Sequence, residues 1–352
     1  MKYCIIIFWG GLFLLLTLLT SGCHDGDKGS LWDENIVRFQ VDVETDPNGR
    51  GGYNVEPDWC VLMLPENNRV MQDIPLVIYC HSGGGTVSSS GSEPENNDFT
   101  RYFVSRGCAV LCTAGMPESY SERLQVDHTR CLGNPVSVRS VIKAYDYIKE
   151  LFYNIDFSRC VVYCNSNGGL TASSLVNHTS IPILAQGGLC PLISIEKNVW
   201  EKLGYKTGLI RLFGMKSGSY EKDKVGKYDP YVYNTHSEVP YRCPYLIIQP
   251  KRDRFVSYDI AVQFADIMNK KGSEIIVIDT DEVGGHNVVP QPVIIGSYSY
   301  MGKNYPLNKT VDDMYLFFLQ VSEENRCRVM RVHIGLFLNP LFCLDLCRFL
   351  IL

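Results

Sequence analysis

The stretch VVYCNSNGGL, residues 161–170, decides how the rest of the chain is read. A short β-branched and aromatic run, Val161-Val162-Tyr163-Cys164, stops on small polar residues, and a helix is expected to begin at Gly168. A hydroxyl at such a strand-to-helix turn stands clear of both elements. The helix start behind it offers unpaired backbone N–H groups to a developing anion. Ser166 therefore sits where a chain would present a nucleophile.

Outward from this turn, residues 36–192 alternate between strand and helix patterns, which argues a mainly parallel sheet with helices on its faces. Segments 37–43 and 60–64 read as an opening antiparallel pair, 76–80 and 108–112 as buried strands, and 99–105 as a short helix. Apolar residues at Val138, Val141, Ile142, Tyr145, Ile148 and Leu151 give 135–152 the three-and-four spacing of a helix packed on a sheet. Beyond the turn, strands are expected at 183–186, 245–249 and 274–278, with helices at 258–270 and 311–322. Between residues 192 and 242 periodicity weakens while Trp200, Tyr205, Phe213 and several tyrosines recur. A connection this long reads as a cap over the sheet edge, or as a small helical insertion packed by those aromatics.

The chain has 352 residues, 45% hydrophobic and 11% aromatic, enough for one large α/β domain spanning 36–323. A net charge of −5, with no long basic run, argues against a nucleic-acid partner. Lys2, an apolar stretch over 4–19 and the small residues before Cys23 resemble a bacterial lipoprotein signal. That resemblance implies removal of 1–22, a lipid on Cys23, a membrane partner through that lipid, and a cell-envelope location facing the periplasm or the cell surface. An uncleaved N-terminal anchor is the alternative. Residues 23–35 then read as a polar tether. Of fourteen cysteines, Cys80, Cys112, Cys160 and Cys164 fall in expected core strands and read as small buried residues. No zinc-type spacing stands out, and no metal is expected. The tail, 324–352, combines Arg326, Arg328 and Arg331 with an interrupted apolar run, too broken for a membrane span.

A glycine run, His81-Ser82-Gly83-Gly84-Gly85, follows the expected strand 76–80 directly. Its backbone N–H groups are uncovered by side chains and suit the stabilisation of an oxyanion. His81 is expected to shape this loop.

With a strand leading into Cys164-Asn165-Ser166-Asn167-Gly168, the turn resembles the nucleophile elbow of α/β-hydrolase-fold enzymes, whose pattern is G-x-S-x-G. Cys164 departs from the first glycine; Gly168 keeps the second. By this resemblance the Asn167 N–H joins those of Gly83 and Gly84 in an oxyanion hole. The resemblance also implies that an acid and then a histidine follow later strands. Asp253 lies just after 245–249 and His286 after 274–278, although Asp279, Asp281 and Glu282 are closer to His286 in sequence. The segment Asn154 to Arg159 is similar to prolyl-oligopeptidase-like and dienelactone-hydrolase-like branches, which include peptidases and esterases.

The function expected on this basis is a serine hydrolase without a cofactor, with Ser166, His286 and Asp253 as nucleophile, base and acid. A small-molecule or carbohydrate ester, with acyl or feruloyl groups, is the expected substrate, because too few residues precede Leu76 for a separate gating domain. The alternatives are a serine peptidase of the prolyl-oligopeptidase-like type and a catalytically silent glycan-binding lipoprotein on the same scaffold.

Overall fold

The computed structural model describes residues 32–33, 35–201, 204–216, 218–280, 286 and 293–335, with side chains as far as residue 325 in the last helix. Met1–Asp33 separates as its own unit from Glu34–Leu352. The candidate lipidation residue Cys23, most of the tether, Asp281, Glu282 and the tail beyond 335 lie outside the described residues. No described helix is long and apolar enough to cross a membrane.

From Ile36 onward eight strands form one sheet: β1 (Ile36–Pro47), β2 (Tyr53–Met63), β3 (Ile74–Cys80), β4 (Ala109–Thr113), β5 (Ile155–Asn165), β6 (Ile183–Leu189), β7 (Tyr245–Gln249) and β8 (Ile275–Asp279). Their spatial order is β1-β2-β4-β3-β5-β6-β7-β8, with β2 antiparallel to both neighbours and every later pairing parallel. This is the α/β-hydrolase fold.

Strand side chains alternate between two cores, as the pleat requires. Leu76, Ile78, Val162 and Cys164 face one layer, with Val141, Ala144 and Ile148 of helix Pro135–Leu151, Leu175 of Gly168–His178 and Phe264 of Tyr258–Lys270. Val77, Tyr79, Val161 and Tyr163 face the other, with Phe99 and Phe103 of helix Asp98–Ser105 and Met314 and Phe318 of Lys309–Gly335. Asn134 starts the first of these helices by accepting from the N–H groups of Val136 and Ser137, with Pro135 at the first helical position.

The final helix is longer than the spacing implied. An antiparallel pair, β9 (Ile294–Tyr300) and β10 (Lys303–Asn308), precedes it; the sequence reading did not anticipate this pair. Its turn places Met301 and Gly302 at positive φ, the signature of a two-residue hairpin loop. Tyr298 and Tyr300 are buried by it against the second core.

Nine described cysteines, Cys80, Cys112, Cys160 and Cys164 among them, are buried. Residues 190–244 connect β6 to β7 through short helices, among them Lys206–Phe213 and Pro230–His236. Asp229 anchors this connection from a fully buried position. It accepts from Ser194 Oγ at 3.1 Å and from the Glu196 and Val232 N–H groups at 2.9 and 3.2 Å.

Candidate active site

Gly83, Gly84, Ser166, Asn167, Asp253 and His286 all lie past the carboxyl ends of parallel strands, where open α/β sheets gather their ligand sites. Ser166 follows β5 with φ +48°, a left-handed conformation that costs a serine energy. Packing fixes it there: its N–H donates to Leu189 O at 3.0 Å, and its carbonyl accepts from Leu192 N–H at 2.7 Å. The turn is tight enough that a Cβ on Gly168 would collide with the Cys80 carbonyl oxygen, and one on Gly169 would lie 2.6 Å from Leu192 O.

Cys164 fits in place of the family glycine because the neighbouring strand is bare opposite it. Its register partner is Gly188, and its Sγ rests 3.3 Å from Gly187 O. Gly188 has no room for a side chain of its own, since a Cβ there would lie 2.8 Å from Pro191 Cγ.

Three side chains meet at this end of the sheet. Ser166 Oγ lies 2.6 Å from His286 Nε2, and His286 Nδ1 lies 2.8 Å from Asp253 Oδ2. The Asp253 side chain is fully shielded from solvent. Its Oδ1 accepts from Phe255 and Val256 N–H at 2.8 and 3.0 Å, and its Oδ2 from Gln249 Nε2 at 3.0 Å. Burial alone would raise its pKa; His286 and the two backbone donors outweigh that and hold the carboxyl below its ordinary range. Asp279 turns away, accepting from Lys251 instead. Phe255 packs beside the imidazole with ring centroids 5.3 Å apart.

Cys190, also at positive φ, is buried next to this pair. One ligating atom each from Cys190, Asp253 and His286 falls within 4.8 Å of the others. It is the one such trio among the described residues, and its aspartate and histidine are already bonded to one another.

The glycine loop after β3 is placed beside the serine, but its donors divide. Gly83 and Asn167 line a cavity of about 150 Å³ with Ser166 and His286, and among the described residues no protein acceptor takes either N–H. Gly84 departs from expectation: its N–H donates to Thr129 Oγ1 at 3.0 Å, so it braces the loop rather than facing the cavity. His81 supports the loop from beneath. It is buried, with Nδ1 2.8 Å from Ser82 O and Nε2 3.0 Å from Ala114 O.

Sequence reasoning missed Gln249, Phe255 and the turn Asp127 to Arg130. Asp127 Oδ1 accepts from Thr129 N–H and Oγ1 at 3.0 and 2.6 Å, and Oδ2 sits 3.1 Å from Arg130 Nε. Although burial opposes it, these partners leave the Asp127 carboxyl below its usual range. Arg130 and Tyr205 complete the cavity wall, with the guanidinium 4.1 Å from the ring centroid. Only the Asp-x-Thr spacing of an Asx turn hinted at this element.

Neither a protein-family model nor a curated protein matches the chain. Among solved structures it is similar to the acylaminoacyl peptidase of Pyrococcus horikoshii, with 12% identity, TM-score 0.53, and 72% of this chain and 38% of that one covered. A puromycin-hydrolysing peptidase of Mycobacterium tuberculosis aligns with 19% identity and TM-score 0.53, over 72% of this chain and 36% of the other. A prolyl endopeptidase aligns with 16% identity and TM-score 0.54, over 82% and 39%. The chain thus spans well under half the length of these peptidases, and at such identities the likeness is one of fold.

Proposed function

We propose that the chain is a serine hydrolase that works through an acyl-enzyme on Ser166. The observation that carries this reading is the unbroken hydrogen-bond relay from Ser166 Oγ through His286 to the buried Asp253 carboxylate. In it, His286 takes the serine proton as Oγ attacks an acyl carbon, then returns it to the leaving group. Asp253 fixes the ring so that Nδ1–H points to the carboxylate and Nε2 to the serine. The N–H groups of Gly83 and Asn167 meet the tetrahedral oxyanion; such donors are each worth on the order of a hundredfold in rate. A second round with water in place of the serine hydroxyl releases the acid, and the relay requires only protein groups and water.

The scissile bond we favour is an amide. The similar solved structures are peptidases of prolyl-oligopeptidase type, which supports the peptidase reading above the ester reading suggested by sequence. Attachment through Cys23 and action in the cell envelope accompany this reading as proposals from the N-terminal sequence. Matched acylaminoacyl 4-nitroanilides and 4-nitrophenyl esters, assayed with the parent and with Ser166→Ala, test the reading. Parental turnover of the anilides that vanishes in the variant supports it. Turnover of the esters alone selects ester hydrolysis, and equal turnover by the variant removes Ser166 from the chemistry.

A further inference from the structure

The cavity beside Ser166 carries one permanently charged group, and that group is placed to choose substrates. Among the described residues that line it, Arg130 and His286 alone are basic and none is acidic; Asp253 is sealed behind the imidazole. The Arg130 stem lies over the glycine loop, where a Cβ added to Gly83 would meet its Cγ at 3.7 Å. Its head is held on two sides. Nε lies 3.1 Å from Asp127 Oδ2 in an ion pair at the rim of the cavity, and the guanidinium carbon lies over the Tyr205 ring, 4.1 Å from its centroid. Asp127 is itself fixed by Thr129, the residue that also takes the Gly84 N–H. The fork is therefore built into the same turn that braces the oxyanion loop.

This arrangement spends Nε on Asp127 and leaves the two terminal amino groups without a protein partner among the described residues. A guanidinium pre-oriented by stacking and by one carboxylate loses little freedom when it grips a second, and two parallel N–H donors match the spacing of carboxylate oxygens. We infer that Arg130 is a specificity-determining residue that binds a carboxylate on the substrate, within reach of the acyl group on Ser166. The substrates assigned are thus acidic acyl compounds, either with a carboxylate on the acyl side or with the free carboxylate of a short peptide on the leaving side. The inference rests on the serine-hydrolase reading for the chemistry but not for the binding.

Two matched pairs separate the sources of the carboxylate. One is an N-succinyl against an N-butyryl aminoacyl 4-nitroanilide; the other is a short peptide with a free carboxyl terminus against its terminal amide. Parent and Arg130→Gln proteins are compared by kcat/KM, and each compound's affinity is measured calorimetrically in the Ser166→Ala background. The expected result is a preference for the acidic member of one pair by about 10- to 100-fold, the worth of a hydrogen-bonded charge. That preference is lost in Arg130→Gln and partly kept in Arg130→Lys, with the loss on the acidic member exceeding by that factor any loss on the neutral one. A parent indifferent to charge in both pairs overturns the assignment. So does an Arg130→Gln protein that loses acidic and neutral substrates equally, which would make the residue structural or part of the oxyanion site. Acidic compounds that bind through Arg130 to a chain that turns nothing over would uphold this inference and sink the hydrolase reading.

Discussion

Gln249 Nε2 donates to Asp253 Oδ2 at 3.0 Å and lies 3.1 Å from Val256 O, so the last residue of β7 grips both the acid and the turn that presents it. The same carboxylate oxygen faces His286. Through this contact the buried carboxyl end of β7, one strand in from the sheet edge, sets the direction in which the imidazole points.

Gln249→Leu removes a donor from a buried carboxylate while keeping the apolar volume. A bond of that kind contributes about 1.5–3 kcal/mol, so kcat/KM should fall by about 10- to 100-fold. Asp253→Asn also presents the wrong group to the ring and should cost about ten-thousand-fold by analogy with the worked serine triad. Steady-state kinetics on one substrate rank the two. A Gln249→Leu protein as fast as the parent would show that the backbone donors of Phe255 and Val256 suffice.

Acid should strip a defined part of the stability. The folded-state pKa of Asp253 is depressed, so its contribution is fully present above the unfolded value of about 4 and is lost as pH falls through the folded value. Urea midpoints of the parent and Asp253→Asn should therefore differ most near neutrality and converge below about pH 4. A gap that persists into strong acid would contradict the assignment of a stabilised carboxylate.

Asp58 predicts the opposite slope. Burial pushes its carboxyl up to about 6, against donation from Ser140 Oγ and Gly115 N–H and the nearby His81. A raised folded value means the native state holds its proton longer than the unfolded chain. This site's contribution to stability should thus decline between about pH 4 and 6 and stay low above. Asp58→Asn should flatten that part of the profile and gain on the parent at neutral pH. An unchanged slope would place the cause elsewhere.

The elbow predicts an asymmetry between its two small residues. Gly168→Ala sets a methyl group against the Cys80 carbonyl, whereas Cys164 stands in register with bare Gly188. Overpacking of this kind costs about 1–3 kcal/mol, more where the obstacle is backbone, so Gly168→Ala should lose stability and activity together. Cys164→Gly should keep its activity while losing a modest packing contribution. Melting temperatures with matched kcat values check both.

Local pattern made much of this legible. The buried strands are short apolar runs ended by glycine or polar residues, and α/β alternation with an elbow leaves few ways to order them. Ser166, Asp253 and His286 stand out as candidates because each follows such a strand, at one, four and seven residues past its end. What escaped depends on contacts that sequence spacing does not encode. Gln249 resembles any polar strand end until Asp253 folds back onto it. Arg130 and Tyr205 are far apart in the chain and meet only at the cavity. Gly84 reads from sequence as an oxyanion donor because glycine shows that an N–H is accessible without showing which acceptor takes it; here Thr129 does. The hairpin Ile294–Asn308 was passed over because its alternation is weak and its outer face is exposed.

A fluorophosphonate probe followed by peptide mass mapping tests the relay most directly. The parent should carry one covalent adduct, on Ser166; His286→Ala should label far more slowly and Ser166→Ala not at all. A parent that stays unlabelled, or carries the adduct on another residue, would contradict the proposal that His286 and Asp253 activate Ser166.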